Sequence, residues 1–185
     1  SYDDVYVMQK CSCDFIIRNE GDYKNVDILE EYYTNKDYSN IPGITWRRNG
    51  ETISNPSGKP LDINSLPTPY YQILNDSQLW ICPNGLSEED FSYKLNRIRQ
   101  SYWFFMTGRG CPNKCSFCVE GNIGNIYRFR NVDKLKEDLM SFLDNTEHKY
   151  VAIADDTFTS SLNRVGKVCS MFIEVQKTHP FTWYC

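Results

Sequence analysis

The strongest constraint on folding lies between residues 102 and 185. Three apolar runs of strand length, Tyr102–Thr107, Tyr150–Ala154 and Phe181–Cys185, alternate with two stretches of helical periodicity. In the first stretch, opened by Asn131 or Asp133, the residues Val132, Leu135, Leu139, Phe142 and Leu143 share one helix face. The second runs from about Ser161 to Lys177. Strands separated by helix-length connections cannot close as hairpins. They lie parallel, with the helices packed on the sheet. The order β-loop-α-β-α-β therefore predicts an α/β fold, the parallel-sheet unit of a barrel or a wound sheet. A Gly- and Cys-rich loop, 108–124, leaves the first strand, and Asp155-Asp156 closes the second.

The loop holds the chemistry. Cys111, Cys115 and Cys118 stand at C-x3-C-x2-C spacing inside Thr107-Gly108-Arg109-Gly110-Cys111-Pro112-Asn113-Lys114-Cys115-Ser116-Phe117-Cys118. Closely spaced thiolates are soft ligands for zinc or for iron–sulfur clusters. Both kinds of site normally take four protein ligands, so three thiolates would leave one iron of a four-iron cluster open to a small molecule. Composition narrows the context. With 20 Lys+Arg against 24 Asp+Glu, the net charge of −4 argues against a general electrostatic grip on nucleic acid. No apolar run approaches the roughly 20 residues of a membrane span. Aromatics at 15% argue against disorder. Eight cysteines without a secretory start point to metal chemistry in a reducing compartment, so the expected location is the cytoplasm.

The first hundred residues read differently. Val5-Tyr6-Val7-Met8 and Cys13-Asp14-Phe15-Ile16-Ile17 are expected to be short buried strands, and Val26 to Tyr33 a helix. Strand, acidic turn (Asn19-Glu20-Gly21-Asp22) and helix is the rhythm of an open α/β domain. Residues 34–75 gather Pro42, Pro56, Pro60, Pro67 and Pro69. Gly43 to Ile53 predicts a hairpin about the Asn49-Gly50 turn, and Leu66-Pro67-Thr68-Pro69 an extended linker. Ser87-Glu88-Glu89-Asp90 would cap a helix running to about Arg99. The expected division is 1–38 for the end of a Rossmann-like domain, 39–100 for a linker with hairpin and short helix, and 101–185 for the parallel unit.

The cysteine triplet, with Phe117 before its last member, resembles the signature of radical S-adenosylmethionine (SAM) enzymes. Gly108-Arg109-Gly110-Cys111-Pro112 resembles their "SRGCP" loop, with Gly108 where Ser is usual. Tyr127-Arg128-Phe129-Arg130 resembles "YR-x-R", and Asp155-Asp156-Thr157-Phe158-Thr159 resembles "DD-x-F-T". Upstream, Asp14 to Asp22 is similar to "D-x-V-V-R-G-E-G-E", and Leu66–Pro69 to the "LP-x-P" linker, of the subfamily with an N-terminal cobalamin-binding-type domain. Asn19 and Asp22 depart from that acidic turn. The D-x-H-x-x-G motif, whose histidine ligates cobalt, is absent, and neither His148 nor His179 has its context.

The resemblance implies the tail of a Rossmann-like domain, a Pro-rich linker with hairpin, and the first half of a radical SAM barrel. It implies a 4Fe-4S cluster on Cys111, Cys115 and Cys118, whose open iron chelates SAM. One-electron cleavage then gives a 5′-deoxyadenosyl radical. Contacts to SAM fall to Phe117, whose backbone would lie by the adenine, to Asp155 and Asp156 at its amino end, and to Arg128 and Arg130. Cobalamin is left open. The implied partners are a small-molecule or peptide substrate, with methylation, rearrangement or epimerisation as outcome, and an electron donor such as a flavodoxin or ferredoxin. With under three βα units, the chain is expected to be an internal piece of a larger enzyme or one part of a split one, so the remainder of its own barrel is also an implied partner. Two plainer readings stand beside this: a zinc-stabilised binding module, and a catalytically silent fragment or subunit. Residue by residue, Phe117 would then pack in the core and the Arg pair would be a basic patch. Thr157 and Thr159 are expected to be capping residues. Cys82, Cys169 and Cys185 are expected to be buried apolar residues.

Overall fold

The computed structural model describes residues 3–72, 87, 89, 103–118, 126–146 and 149–185. The helix expected from Ser87 to Arg99 lies outside them but for Ser87 and Glu89, as do Cys82 and His148. The chain divides into two compact units, 1–61 and 62–185.

In the first unit, α1 (Asp4–Lys10) is a helix where a strand was expected. Four apolar residues are too few to carry a period, and the deciding signal is the cap. Asp3 accepts a hydrogen bond from the Tyr6 amide at 2.9 Å, and only Met8 is buried. Strand β1 (Phe15–Ile17) follows, then α2 (Lys24–Tyr33), then the hairpin β2 (Ile44–Arg48) and β3 (Glu51–Ser54). The three strands form one antiparallel sheet in the order β1-β2-β3, with Phe15 opposite Trp46 and Trp46 opposite Ile53. Asn49 and Gly50 have φ of 52° and 84°, the left-handed pair that a two-residue hairpin turn needs. Ile28, Tyr38, Ile41, Ile44 and Trp46 make the core. Buried Asn55 locks it, accepting from Trp46 Nε1 at 3.1 Å and donating to the carbonyls of Tyr38 and Ile41 at 2.7 and 2.8 Å. Asn19 has φ 63°, and asparagine is among the few residues besides glycine that tolerate the left-handed region.

The second unit carries the parallel sheet. Strands β4 (Trp103–Phe105), β7 (Tyr150–Ile153) and β8 (Thr182–Tyr184) lie in the order β4-β7-β8, with Phe105 level with Ile153 and Ala152 with Tyr184. Helix α3 (Val132–Asn145) connects β4 to β7 beyond the cysteine loop, and α4 (Leu162–Gln176) connects β7 to β8. Asn131 caps α3, accepting from the Asp133 amide at 2.8 Å. Leu135, Leu139, Phe142 and Leu143 of α3 and Val168, Met171, Phe172 and Val175 of α4 bury against Phe105, Val151 and Ile153. Alternation along the strand turns Phe104 and Met106 to the other face, where both are exposed. A two-stranded antiparallel ribbon, β5 (Gly108–Arg109) with β6 (Arg128–Phe129), closes the base of the cysteine loop. The α/β class is as the sequence predicts. Cys185 is exposed and Cys169 half-buried, against the expectation of burial, because β8 ends at Tyr184 and Cys169 sits beside the core stripe of α4. Among the described residues no helix is long and apolar enough to cross a membrane.

Candidate functional site

In parallel sheets, chemistry gathers where the strands end at their carboxyl side, because the loops that leave there can converge. β4 and β7 are hydrogen-bonded neighbours, so the cysteine loop and Asp155-Asp156 emerge side by side. Asp155 takes the Thr107 amide at 2.6 Å, the Thr107 hydroxyl at 2.5 Å and the Gly108 amide at 3.0 Å. Asp156 takes the Gly110 amide at 3.1 Å. Both carboxylates thus brace the root of the loop, and Asp155 does so with both oxygens. Gly110 has φ 81°, and a Cβ there would lie 2.6 Å from the Ile126 carbonyl oxygen, so the two ends of the loop pass at glycine distance.

Two arginines complete the root. Arg130 is buried, and its fork meets Asp138 of α3 at 2.6 and 3.0 Å. The same guanidinium donates to the carbonyls of Ile63 and Leu66 at 2.6 and 3.1 Å, which ties the Pro-rich segment to α3. Arg164 of α4 is also buried; its Nη2 donates to the Thr107 carbonyl, and its guanidinium lies 4.5 Å from the centre of the Phe129 ring. Burial pushes the Arg164 guanidinium down from its ordinary value, against the charge of Asp155. Arg128 pairs with Arg109 across the β5–β6 ribbon.

The cysteines themselves differ. Cys111 and Cys118 are half-buried and Cys115 is exposed. The Cys118 amide turns back to the Cys115 carbonyl at 3.0 Å. Cys111 Sγ receives the Thr157 hydroxyl at 3.0 Å and the Asn113 side-chain amide at 3.5 Å. The Thr157 hydrogen bond first, and Asn113 after it, hold the Cys111 thiol below its ordinary value. Among the described residues no three His, Cys, Asp or Glu side chains gather around one point as metal ligands do, so the thiols share a loop without converging. Their donor set still suits an iron–sulfur cluster: three free thiols, one already receiving hydrogen bonds at sulfur, on a loop braced at its root. Phe117 is 90% exposed, which removes the core-packing alternative. Thr157 stands at the N-cap of the 3-10 turn Phe158–Ser160 without a side-chain cap bond, and its hydroxyl donates to Cys111.

Arg164 and Asp138 were missed from sequence, although each carries a signal. Asp138 falls on the Leu135–Leu139–Phe142 face, and Arg164 on the Val168–Met171–Val175 face. A charge on a core stripe demands a buried partner.

Compared with solved structures, 98% of the chain superposes on 24% of the cobalamin-dependent SAM radical enzyme OxsB, whose structure holds aqua-cobalamin and SAM, with a TM-score of 0.67 and 17% identity. The chain has the fold of about a quarter of a cobalamin-dependent radical SAM enzyme. A second such enzyme, the radical SAM methyltransferase TsrM of Kitasatospora setae, with cobalamin and a [4Fe-4S] cluster bound, matches 89% of the chain over 30% of its own, with a TM-score of 0.56 and 15% identity. Among curated proteins, an uncharacterized methyltransferase of Pyrococcus horikoshii is 26% identical over 161 residues, 85% of this chain and 31% of that protein. TokK of Streptomyces tokunonensis, a cobalamin-dependent radical SAM methyltransferase, is 26% identical over 133 residues, 70% of this chain and 18% of its own length. No family model matches the chain. The chain thus spans under a third of these curated relatives, and the resemblance read from its motifs is to the group of enzymes that the comparisons find.

Proposed function

We propose that this chain is the cluster-bearing part of a cobalamin-dependent radical SAM enzyme that transfers a methyl group. In this reading residues 1–38 end the cobalamin-binding-type domain, 39–100 form the linker, and 101–185 are the first half of the barrel. Cys111, Cys115 and Cys118 hold a 4Fe-4S cluster. One observation carries the proposal: a C-x3-C-x2-C loop leaves the carboxyl end of β4 with its backbone held by both aspartates from the end of β7. When bound, the cluster supplies one electron for cleavage of SAM, and cobalamin carries the methyl group. The chain's own residues orient and exclude. Asp155 and Asp156 fix the loop backbone, Arg130 ties Ile63 and Leu66 to α3, and exposed Phe117 would be free to contact SAM. Methyl transfer is favoured over rearrangement or epimerisation because the relatives are named as methyltransferases. The substrate is a small molecule or peptide, and a flavodoxin or ferredoxin is the electron donor.

The test is anaerobic reconstitution of the full chain with iron and sulfide, then absorbance and low-temperature spin resonance with and without SAM. A cluster signal that shifts on adding SAM supports the open-iron reading. After reduction, 5′-deoxyadenosine reports cleavage and S-adenosylhomocysteine reports methyl transfer. Uptake of one tight zinc and no iron sinks the proposal in favour of a binding module.

A further inference from the structure

The three cysteines are not equivalent. Among the described residues, Cys111 alone of the three receives hydrogen bonds at sulfur, and the nearer comes from Thr157 on another strand's terminal turn. Thr157 is itself held from three sides. Asp155 and Asp156 before it are tied to the loop root, and Phe158 after it is buried in the core. Its carbonyl accepts the Tyr127 hydroxyl at 2.6 Å, from the far end of the cysteine loop. Tyr127 in turn packs edge-on against Phe129, with ring centres 4.3 Å apart. So Tyr127, Thr157 and Cys111 form a clasp that joins both ends of the loop to the end of β7. The backbone that carries the hydroxyl is tied on both sides, and the hydroxyl donates to sulfur while accepting no cap bond.

We infer that Thr157 positions Cys111 and sets the reduction potential of the cluster it would hold; the inference rests on the cluster reading proposed above. Electron density on the ligand sulfurs rises when one electron enters from an external donor. A hydrogen bond to a more negative acceptor is stronger, so a donor at sulfur favours the reduced state and raises the potential. No bond is made or broken at Thr157, and its proton stays on oxygen. The electron comes from a reduced flavodoxin or ferredoxin, or from dithionite in the assay. Thr157 touches a ligand and not the reacting atoms, so it is a positioning residue.

The test compares the reconstituted full chain with Thr157→Val, which keeps the volume and removes the hydroxyl, and Thr157→Ser, which restores it. Iron and sulfide are counted first, and a redox titration followed by spin resonance gives the midpoint. Thr157→Val should load like the parent chain yet show about a tenfold lower ratio of reduced to oxidised cluster at a fixed potential near the midpoint, ~59 mV for a one-electron couple. Thr157→Ser should return close to the parent midpoint. Loss of iron from the valine variant with retention in the serine variant also assigns the hydroxyl to Cys111. Equal midpoints in the parent and Thr157→Val overturn the inference, as does a serine variant that follows valine in midpoint or in iron loss. If the parent chain takes up no iron, the cluster reading itself falls, and the loading step identifies that case before any titration.

Discussion

Replacing Arg130 by Met should destabilise the second unit severely, and the structure sets the size of the effect. Arg130 and Asp138 are 7% and 5% exposed, and the contact is two-pronged at 2.6 and 3.0 Å. Removing one member of a buried pair leaves the other charge without compensation, at a cost of about 3–5 kcal/mol. The carbonyls of Ile63 and Leu66 lose their donor as well. Replacing both partners, as Arg130→Met with Asp138→Leu, removes the orphan charge. What remains is the unsatisfied carbonyls, about 1–3 kcal/mol. The double variant should therefore be more stable than Arg130→Met alone. Trp103 and Trp183, both packed against the core of this unit, report its unfolding in urea by fluorescence. With a slope of about 2 kcal/mol per molar, the single variant should lose ~2 M in midpoint, and the double variant should recover at least half. A single variant within about 0.5 M of the parent chain, or a double variant worse than either single, would refute the argument that this pair is a dry, mutually dependent contact.

Gly110→Ala should abolish iron loading while leaving the core intact, because φ 81° and a backbone oxygen 2.6 Å from the new methyl cannot both be relieved; iron content beside an unchanged urea midpoint checks it. Arg164→Met removes a donor from the Thr107 carbonyl and a cation that interacts with Asp155, so amide hydrogen exchange over 105–111 should speed up several-fold by mass spectrometry while the β2–β3 hairpin is unaffected. In the metal-free chain the Thr157 hydrogen bond lowers the Cys111 thiol, which places more thiolate at neutral pH. Thr157→Val should move the pH midpoint of Cys111 alkylation upward, and a midpoint unchanged or lowered contradicts the assignment. Asn19→Val should cost about 1–2 kcal/mol and Asn19→Gly almost nothing in thermal unfolding, since φ is 63° there.

The parallel half was legible because its signals are long. Fourteen residues of α3 and fifteen of α4 carry several turns of apolar period, and the strand between them is uniformly apolar. The hairpin was legible from one dipeptide, Asn49-Gly50, which few other conformations accommodate. The seven residues of α1 were not, because Val5-Tyr6-Val7-Met8 suits a strand as well as one helical turn, and a single cap at Asp3 outweighs it. For the site, the sequence located the cysteines, Asp155, Asp156 and Arg130, but assigned the last three to SAM contact rather than to bracing the loop, and it did not single out Arg164 or Asp138. The parts of Asp155, Arg130 and Arg164 are set by contacts 8 to 67 residues apart in the chain, so the partners are not read from the local pattern around each residue.

Those supports meet at one residue. The Thr107 amide and hydroxyl both go to Asp155, and its carbonyl accepts from the Arg130 amide at 3.1 Å and from Arg164 Nη2. Thr107 is fully buried, so each of these polar groups would be costly if left alone, and none is. Because every partner comes from a different part of the chain, none of these three parts can shift without breaking a bond at Thr107. The cysteines begin four residues later. A parallel sheet supplies the direction in which the loop leaves, but Thr107 fixes the point from which it leaves. Bracing at that point lets the tip stay exposed, with Cys115 and Phe117 at the surface, while Cys111 keeps a defined place beside Thr157. In the proposed role the loop would admit a cluster and a small molecule at an open tip, and it would hold both in register only if its origin does not move.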